Sequence, residues 1–146
     1  MALAHAIAVA RLAHAEQLDK GGQPFIGHPL RVMASLAMKG VPEWVLEAAV
    51  LHDILEDTET TSENLLEFGI TPEVIGIVEL LTRDKRDNYF DYIDRIKLSP
   101  VAAYIKLADI EDNLDPARKV EGLDLTDRYK KAVNILTGGP DEVEES

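Results

Sequence analysis

No cysteine occurs in the 146 residues, which excludes a disulfide framework, a thiolate metal site and a cysteine nucleophile. Any metal must therefore be held by imidazole and carboxylate. Positive charge is scarce as well: 15 Lys and Arg stand against 27 Asp and Glu, a formal charge of −12. Binding a nucleic-acid backbone depends on clustered cations that neutralise phosphate, so that function class is not expected. A small anionic ligand remains open, because a bound cation and a few local Lys or Arg residues can invert the field inside one pocket. No apolar run approaches the roughly 18–20 residues of a membrane span, so no membrane partner is expected. Residues 1–15 are apolar and rich in small side chains, but they lack an early positive region and carry His5, Arg11 and His14. A secretory signal is not expected on those features, and a cytoplasmic protein is.

What is present is helical punctuation from end to end, with no sustained period-two alternation. The expected class is all-α, a compact multi-helix bundle formed by one domain over residues 1–137, with residues 138–146 as an acidic flexible tail. Leu3, Ile7, Ala10 and His14 at helical spacing predict a first helix reaching about Leu18, stopped by Gly21 and Gly22. Leu30, Met33, Ala34 and Ala37 form a second stripe ending before Gly40, and Pro42 opens a third helix that runs on to Asp57. Thr61 or Ser62 caps a short helix closing at Gly69, Thr71-Pro72 opens the next, and Asp87 or Asn88 caps another. Ser99-Pro100 starts a helix extending to Asn113, and a last one carries Leu125, Tyr129, Ala132 and Leu136.

The third of these helices departs from plain architecture. An apolar run ends in His52, Asp53, Glu56 and Asp57, four ionisable groups within two turns. Residues four apart share a helical face, so His52 stands over Glu56 and Asp53 over Asp57. Three acids so close repel one another and are costly to bury uncompensated, and a cation resolves both problems. His28, just before a helix, and Asp109, at the end of an apolar stretch, would be awkward core residues without a partner. Two imidazoles and two carboxylates suit a borderline to hard divalent ion such as Mn²⁺, with zinc or iron as the other choices.

The ordered segments AHAEQLDKGGQPFIGHPL, AAVLHDILEDTETT and IKLADIEDN resemble the hydrolase domain of RelA/SpoT proteins, a branch of the HD superfamily; the likeness runs from about Leu12 to Asn113. The resemblance implies a single metal ion held by His28, His52, Asp53 and Asp109. It also implies that Glu56 and Asp57 orient or activate the attacking water, that Asn113 lies beside the substrate, and that Lys20 neutralises phosphate. The implied activity is removal of the 3′-pyrophosphate from guanosine tetra- or pentaphosphate, with a small phosphorylated nucleotide as the partner molecule.

The chain also departs from the family pattern. Asp19 stands where the family has a cation, and Ile110 and Asp112 replace a cation and a histidine. These changes spare the metal set and remove positive charge where a highly phosphorylated nucleotide needs it. Two further readings follow: an HD phosphohydrolase acting on another nucleotide or phosphoester, and a non-catalytic nucleotide-binding regulatory module. Arg31, Lys106 and the Arg83, Lys85, Arg86 cluster are weaker phosphate candidates, read first as solvated surface, and His14 is read as packed and hydrogen-bonded rather than ligating. Trp44, Tyr89, Phe90, Tyr92 and Tyr104 are read as core or pocket walls. A homodimer fits several apolar helices, although no heptad run specifies one.

Overall fold

The computed structural model describes residues 2–118 and 124–138, and those residues contain α-helices and one short 3-10 turn, with no strand. The elements run α1 (Ala2–Ala13), α2 (Gly27–Ala37), α3 (Glu43–Leu51), α4 (Ile54–Asp57), α5 (Ser62–Glu67), α6 (Pro72–Leu80), α7 (Tyr89–Lys97), α8 (Pro100–Asn113), a 3-10 turn at Pro116–Arg118, and α9 (Thr126–Leu136). The proposed tail lies outside the described residues from position 139 onward.

α3 is the central post. Its Val45, Ala48, Ala49, Val50 and Leu51 are all buried, together with Glu47, and the helix packs against α1, α2, α6 and α8. Ala48 and Ala49 let neighbouring backbones approach closely, while Leu51 and Ile54 fill the core at its lower end. α8 forms the second buried post, touching α2, α6, α7 and α9. α2 bridges the two, so the start of α2, the end of α3 and the second half of α8 converge.

The helix starts follow local chemistry. Thr61 and Asn64 form a reciprocal capping box, Thr71 and Ser99 cap helices that carry proline in the first turn, and Asn88 accepts from the amides of Phe90 and Asp91. Two expected boundaries differ. The first helix stops at Ala13, because residues 17–25 fold back through a bridge between Leu18 and Pro24, with Phe25 N–H donating to the Gln17 carbonyl. Asp19 Oδ1 holds the reversal by accepting from the amides of Gly21 and Gln23, both at 2.9 Å, and Gly22 turns the chain at φ +85°.

The expected third helix is likewise two helices. His52 closes α3 with a 3-10-type bond to the Ala49 carbonyl, and Asp53 at φ −100°, ψ 0° separates it from α4. That break sits at the cluster of ionisable groups. α8 continues to Asn113, and Pro116 lies beyond it in the 3-10 turn.

Candidate metal centre

Four side chains from three separate parts of the chain meet at the end of α3. His28 comes from the first turn of α2, His52 and Asp53 from the break before α4, and Asp109 from α8. Each offers one ligand atom, and the four atoms lie within 4.8 Å of one another. His28 Nε2 stands 2.8 Å from Asp109 Oδ1 and 3.5 Å from Asp53 Oδ2. His52 Nε2 stands 3.1 Å from Asp53 Oδ2 and 3.5 Å from Asp109 Oδ1.

The remaining ring nitrogens are committed elsewhere. His52 Nδ1 donates to the Ala49 carbonyl at 2.6 Å, and His28 Nδ1 donates to Asp112 Oδ2 at 2.7 Å. With both Nδ1–H groups so used, the two Nε2 lone pairs face the same space, as ligating imidazoles require. His52 is 2% exposed, and its Nε2 makes no well-aligned hydrogen bond among the described residues. A buried nitrogen left in that state fits a site built to hold a cation.

The metal-free electrostatics carry the same imprint. Burial works against charge on His28, yet its hydrogen bonds to Asp109 and Asp112 outweigh it and raise the pKa. Burial also opposes charge on His52, where Asp53 and Asp109 prevail and hold the pKa well above its ordinary value. For Asp109, burial would favour the neutral acid, but the Lys106 ammonium and then His52 keep it well below the carboxylate range. Lys106 Nζ lies 2.7 Å from Asp109 Oδ2 and is itself largely enclosed. The surface reading of Lys106 is therefore replaced: this lysine neutralises the innermost acid.

Glu56 and Asp57 stand on α4, one turn beyond Asp53, in the wall of a cavity of about 340 Å³ that also takes in His28, Asp53 and Asp109. Glu56 Oε1 accepts from the Arg83 amide at 2.8 Å. Burial, reinforced by Asp53 and Glu56, pushes the Asp57 carboxyl up to about 7. Five cationic side chains, Lys20, Arg83, Lys106, Arg118 and Arg128, share this cavity with four carboxylates. Lys20 is exposed at its mouth, on the turn that Asp19 organises. Asn113 donates to Asp109 Oδ1 at 3.3 Å and accepts from Arg118 Nη1 at 2.6 Å. A second cavity of about 420 Å³ adjoins the first, and Lys20, Asp57, Asn113, Arg118 and Tyr129 are among the residues common to both.

The sequence singles out neither Arg118 nor Arg128, and it presents Asp112 only as a lost positive charge. Asp112 had a signal: it lies three residues after Asp109, hence on the same face of α8. It is the carboxylate that orients His28, and it also accepts from Arg31 Nε at 2.9 Å and from Arg118 Nη1 at 3.0 Å. Ile110 is fully buried in the core and so removes no charge from the cavity. Arg118 reaches the site only through the 3-10 turn after α8, a return that no local spacing announces. Arg31 is not in the cavity wall, while Lys85 and Arg86 are exposed and Arg86 pairs with Asp84. His14 is packed as expected, its Nδ1 bonded to Gln17 Oε1 at 2.8 Å and its ring against Phe25.

Comparison with known proteins places this geometry in context. The family model for the HD domain matches residues 6–115. The guanosine-3′,5′-bis(diphosphate) 3′-pyrophosphohydrolase of Aquifex aeolicus is 38% identical over 114 residues, covering 72% of this chain and 16% of the relative. The bifunctional (p)ppGpp synthase/hydrolase SpoT of Escherichia coli K12 is 33% identical over 122 residues, covering 77% of this chain and 17% of the relative. The chain thus spans about one-sixth of the length of these curated relatives. A solved structure, described as a metazoan ortholog of SpoT that hydrolyzes ppGpp and plays a role in starvation responses, superposes with a TM-score of 0.76 at 27% identity. That match covers 99% of this chain and 90% of the other.

Proposed function

The chain belongs to the HD domain family, and from that premise we propose that it is a divalent-metal-dependent pyrophosphohydrolase that removes the 3′-pyrophosphate of guanosine tetra- or pentaphosphate. One observation carries the reading: the four-atom ligand set opens into a cavity whose walls hold five cationic side chains in an otherwise acidic protein. A metal site alone serves any phosphoester. A cationic wall beside it suits a ligand with several phosphoryl groups. The names borne by the relatives point to the same substrate.

In this reading His28, His52, Asp53 and Asp109 hold the ion, which we take to be Mn²⁺ on the balance of two imidazoles and two carboxylates. Bound there, a divalent ion supplies Lewis-acid polarisation of a phosphoryl oxygen and the means to acidify a water. Glu56 and Asp57 face the same cavity and serve as the proton-accepting and water-aligning pair, Glu56 steadied by the Arg83 amide. The water oxygen bonds to the phosphorus attached to the ribose 3′-oxygen, and the bond from that phosphorus to the 3′-oxygen breaks. Pyrophosphate departs with the new oxygen, and the 3′-oxygen takes up a proton. Lys20 and Arg118 neutralise phosphate charge, and Asn113 lies beside the nucleotide.

The test is pyrophosphate release with Mn²⁺ and with chelator, across guanosine tetraphosphate, ordinary nucleoside phosphates and a reduced dinucleotide phosphate. Ion-dependent release from the tetraphosphate is expected, and Glu56→Gln combined with Asp57→Asn should lower it by about 10²–10⁴-fold while ion binding persists. Cleavage confined to other nucleotides would overturn the substrate and leave the hydrolase site standing. Ion binding without turnover of any of them would make the chain a binding module.

A further inference from the structure

At the α7 side of the metal cavity the structure holds an arrangement that the reaction above does not use. Tyr89, the first residue of α7, is 9% exposed and carries two guanidinium groups over its ring, Arg128 with its carbon 3.8 Å from the ring centre and Arg83 at 5.3 Å. All three side chains line the cavity that contains the metal-site residues. Two of their polar atoms, Tyr89 Oη and Arg83 Nε, are buried and have no hydrogen-bond partner among the described residues.

Three physical points make this a site rather than a packing detail. A single guanidinium on an aromatic ring is an ordinary stabilising contact, but two at one ring gather like charge in one part of the cavity wall, and an anion bound there offsets it. Buried polar atoms are nearly always paired, so an unpartnered hydroxyl and an unpartnered guanidinium nitrogen in one cavity wall are donors held ready for an acceptor from outside. Burial keeps the Tyr89 hydroxyl protonated and therefore a donor. Arg83 is fixed in place, with its amide on Glu56 Oε1 and its Nη2 donating to the Asp87 carbonyl at 3.2 Å. A planar guanidinium so fixed suits two phosphate oxygens better than a mobile ammonium would.

The position relative to the metal ligands is defined by a short chain of contacts. Asp109 holds Lys106 at 2.7 Å, Lys106 Nζ lies 5.3 Å from the Tyr92 ring centre, and the Tyr92 and Tyr89 ring centres are 6.0 Å apart. Along that chain Tyr89 is separated from Asp109 by two side chains, Lys106 and Tyr92, and all of them line the same cavity. Arg83 is tied to the reacting end as well, its amide 2.8 Å from Glu56 Oε1 in the same cavity wall.

We propose that Arg83, Tyr89 and Arg128 form a second anion subsite, which holds the distal phosphoryl group of a diphosphate and makes the site select a pyrophosphoryl over a single phosphoryl group. The proposal rests on the pyrophosphohydrolase reading for its orientation, with the reacting phosphorus at the metal end.

The experiment uses inorganic pyrophosphate and orthophosphate as calorimetric titrants of the divalent-loaded protein, in wild type, Tyr89→Phe and Arg128→Met. Wild type should bind pyrophosphate at least about tenfold more tightly than orthophosphate, the scale of charge-assisted hydrogen bonds. Arg128→Met should remove most of that ratio by weakening pyrophosphate alone, and Tyr89→Phe should remove part of it. Tyr89→Phe deletes one oxygen and keeps the ring, so it carries the test if Arg128→Met fails to melt as a folded protein. Equal ratios in wild type and the folded variants would overturn the subsite, even with guanosine tetraphosphate cleaved. A wild type that leaves that nucleotide uncleaved, yet keeps a ratio the variants lose, would retain the subsite and sink the substrate.

Discussion

At the residue scale the site turns on Asp112. The sequence makes it look like a lost positive charge, since it stands where the resembled family has a histidine. In the structure it is the oxygen that His28 Nδ1–H reaches at 2.7 Å, and two arginines surround it. That set of donors holds its carboxyl down at about 2, although burial pulls the other way. A carboxylate behind a ligating imidazole fixes its tautomer and direction, and losing such a partner typically weakens metal binding by about 10–100-fold. Asp112→Ala should do so for Mn²⁺ in competition with a chromophoric chelator, and Asp112→Asn, which keeps one acceptor oxygen, should fall between. An unchanged affinity for the alanine variant would show that His28 is held by packing alone. His28, His52, Asp53 and Asp109 were legible because each is an ionisable group in apolar surroundings. Asp112 looks like a lost charge when set against the family pattern, whereas the three-residue step that puts it on the Asp109 face of α8 points to its role.

At the element scale the starts of helices were legible and two of their ends were not. Thr61, Thr71-Pro72, Asn88 and Ser99-Pro100 act through bonds within a single turn, which sequence alone displays. The stop at Ala13 depends on a bridge closing between Leu18 and Pro24, and the break at Asp53 follows a 3-10-type closure at His52 that an unbroken apolar pattern does not display. Asp19 shows how a local rule was nonetheless available, because an aspartate ahead of two glycines is a turn former. Its Oδ1 accepts two backbone amides, whereas its other oxygen lies 3.8 Å from Arg118, a longer and weaker contact. Asp19→Ala should therefore lower unfolding free energy by about 1 kcal/mol, and Asp19→Asn should recover most of it, both read from urea denaturation. If the two variants were equally destabilised, the charge facing Arg118 would matter more than the turn. The same turn presents Lys20 to the cavity, so a loosened turn should also raise KM for an anionic substrate.

At the scale of the whole molecule, the site couples folding to protons and to the ion. Without an ion, His28 and His52 are raised in pKa by carboxylates that outweigh their burial, and Asp57 is raised to about 7, chiefly by burial. A group whose folded pKa lies above its unfolded value stabilises the fold at low pH, and that contribution disappears as pH rises through the folded value. All three groups act in this direction, from about pH 4 upward for Asp57 and from about pH 6.5 for the histidines. Asp109, Asp53 and Asp112 act oppositely, but their lowered pKa values confine the effect to acidic solution, and His14, lowered by burial, opposes the trend only up to about pH 6.5. The metal-free protein should thus melt at a lower temperature at pH 8.5 than at pH 6. A divalent ion reverses the trend, because it takes the imidazole lone pairs that protons otherwise occupy and its affinity rises as those protons leave. At an ion concentration of about 100 times Kd the stabilisation is about 2.7 kcal/mol, worth about 5–10 °C for a chain of this size. The increment should be larger at pH 8 than at pH 6, and calorimetry in buffers of different ionisation enthalpy should count protons released per ion bound. A metal increment independent of pH, with no proton release, would mean that His28 and His52 do not exchange protons for the ion, and the proposed ligand set would have to be abandoned.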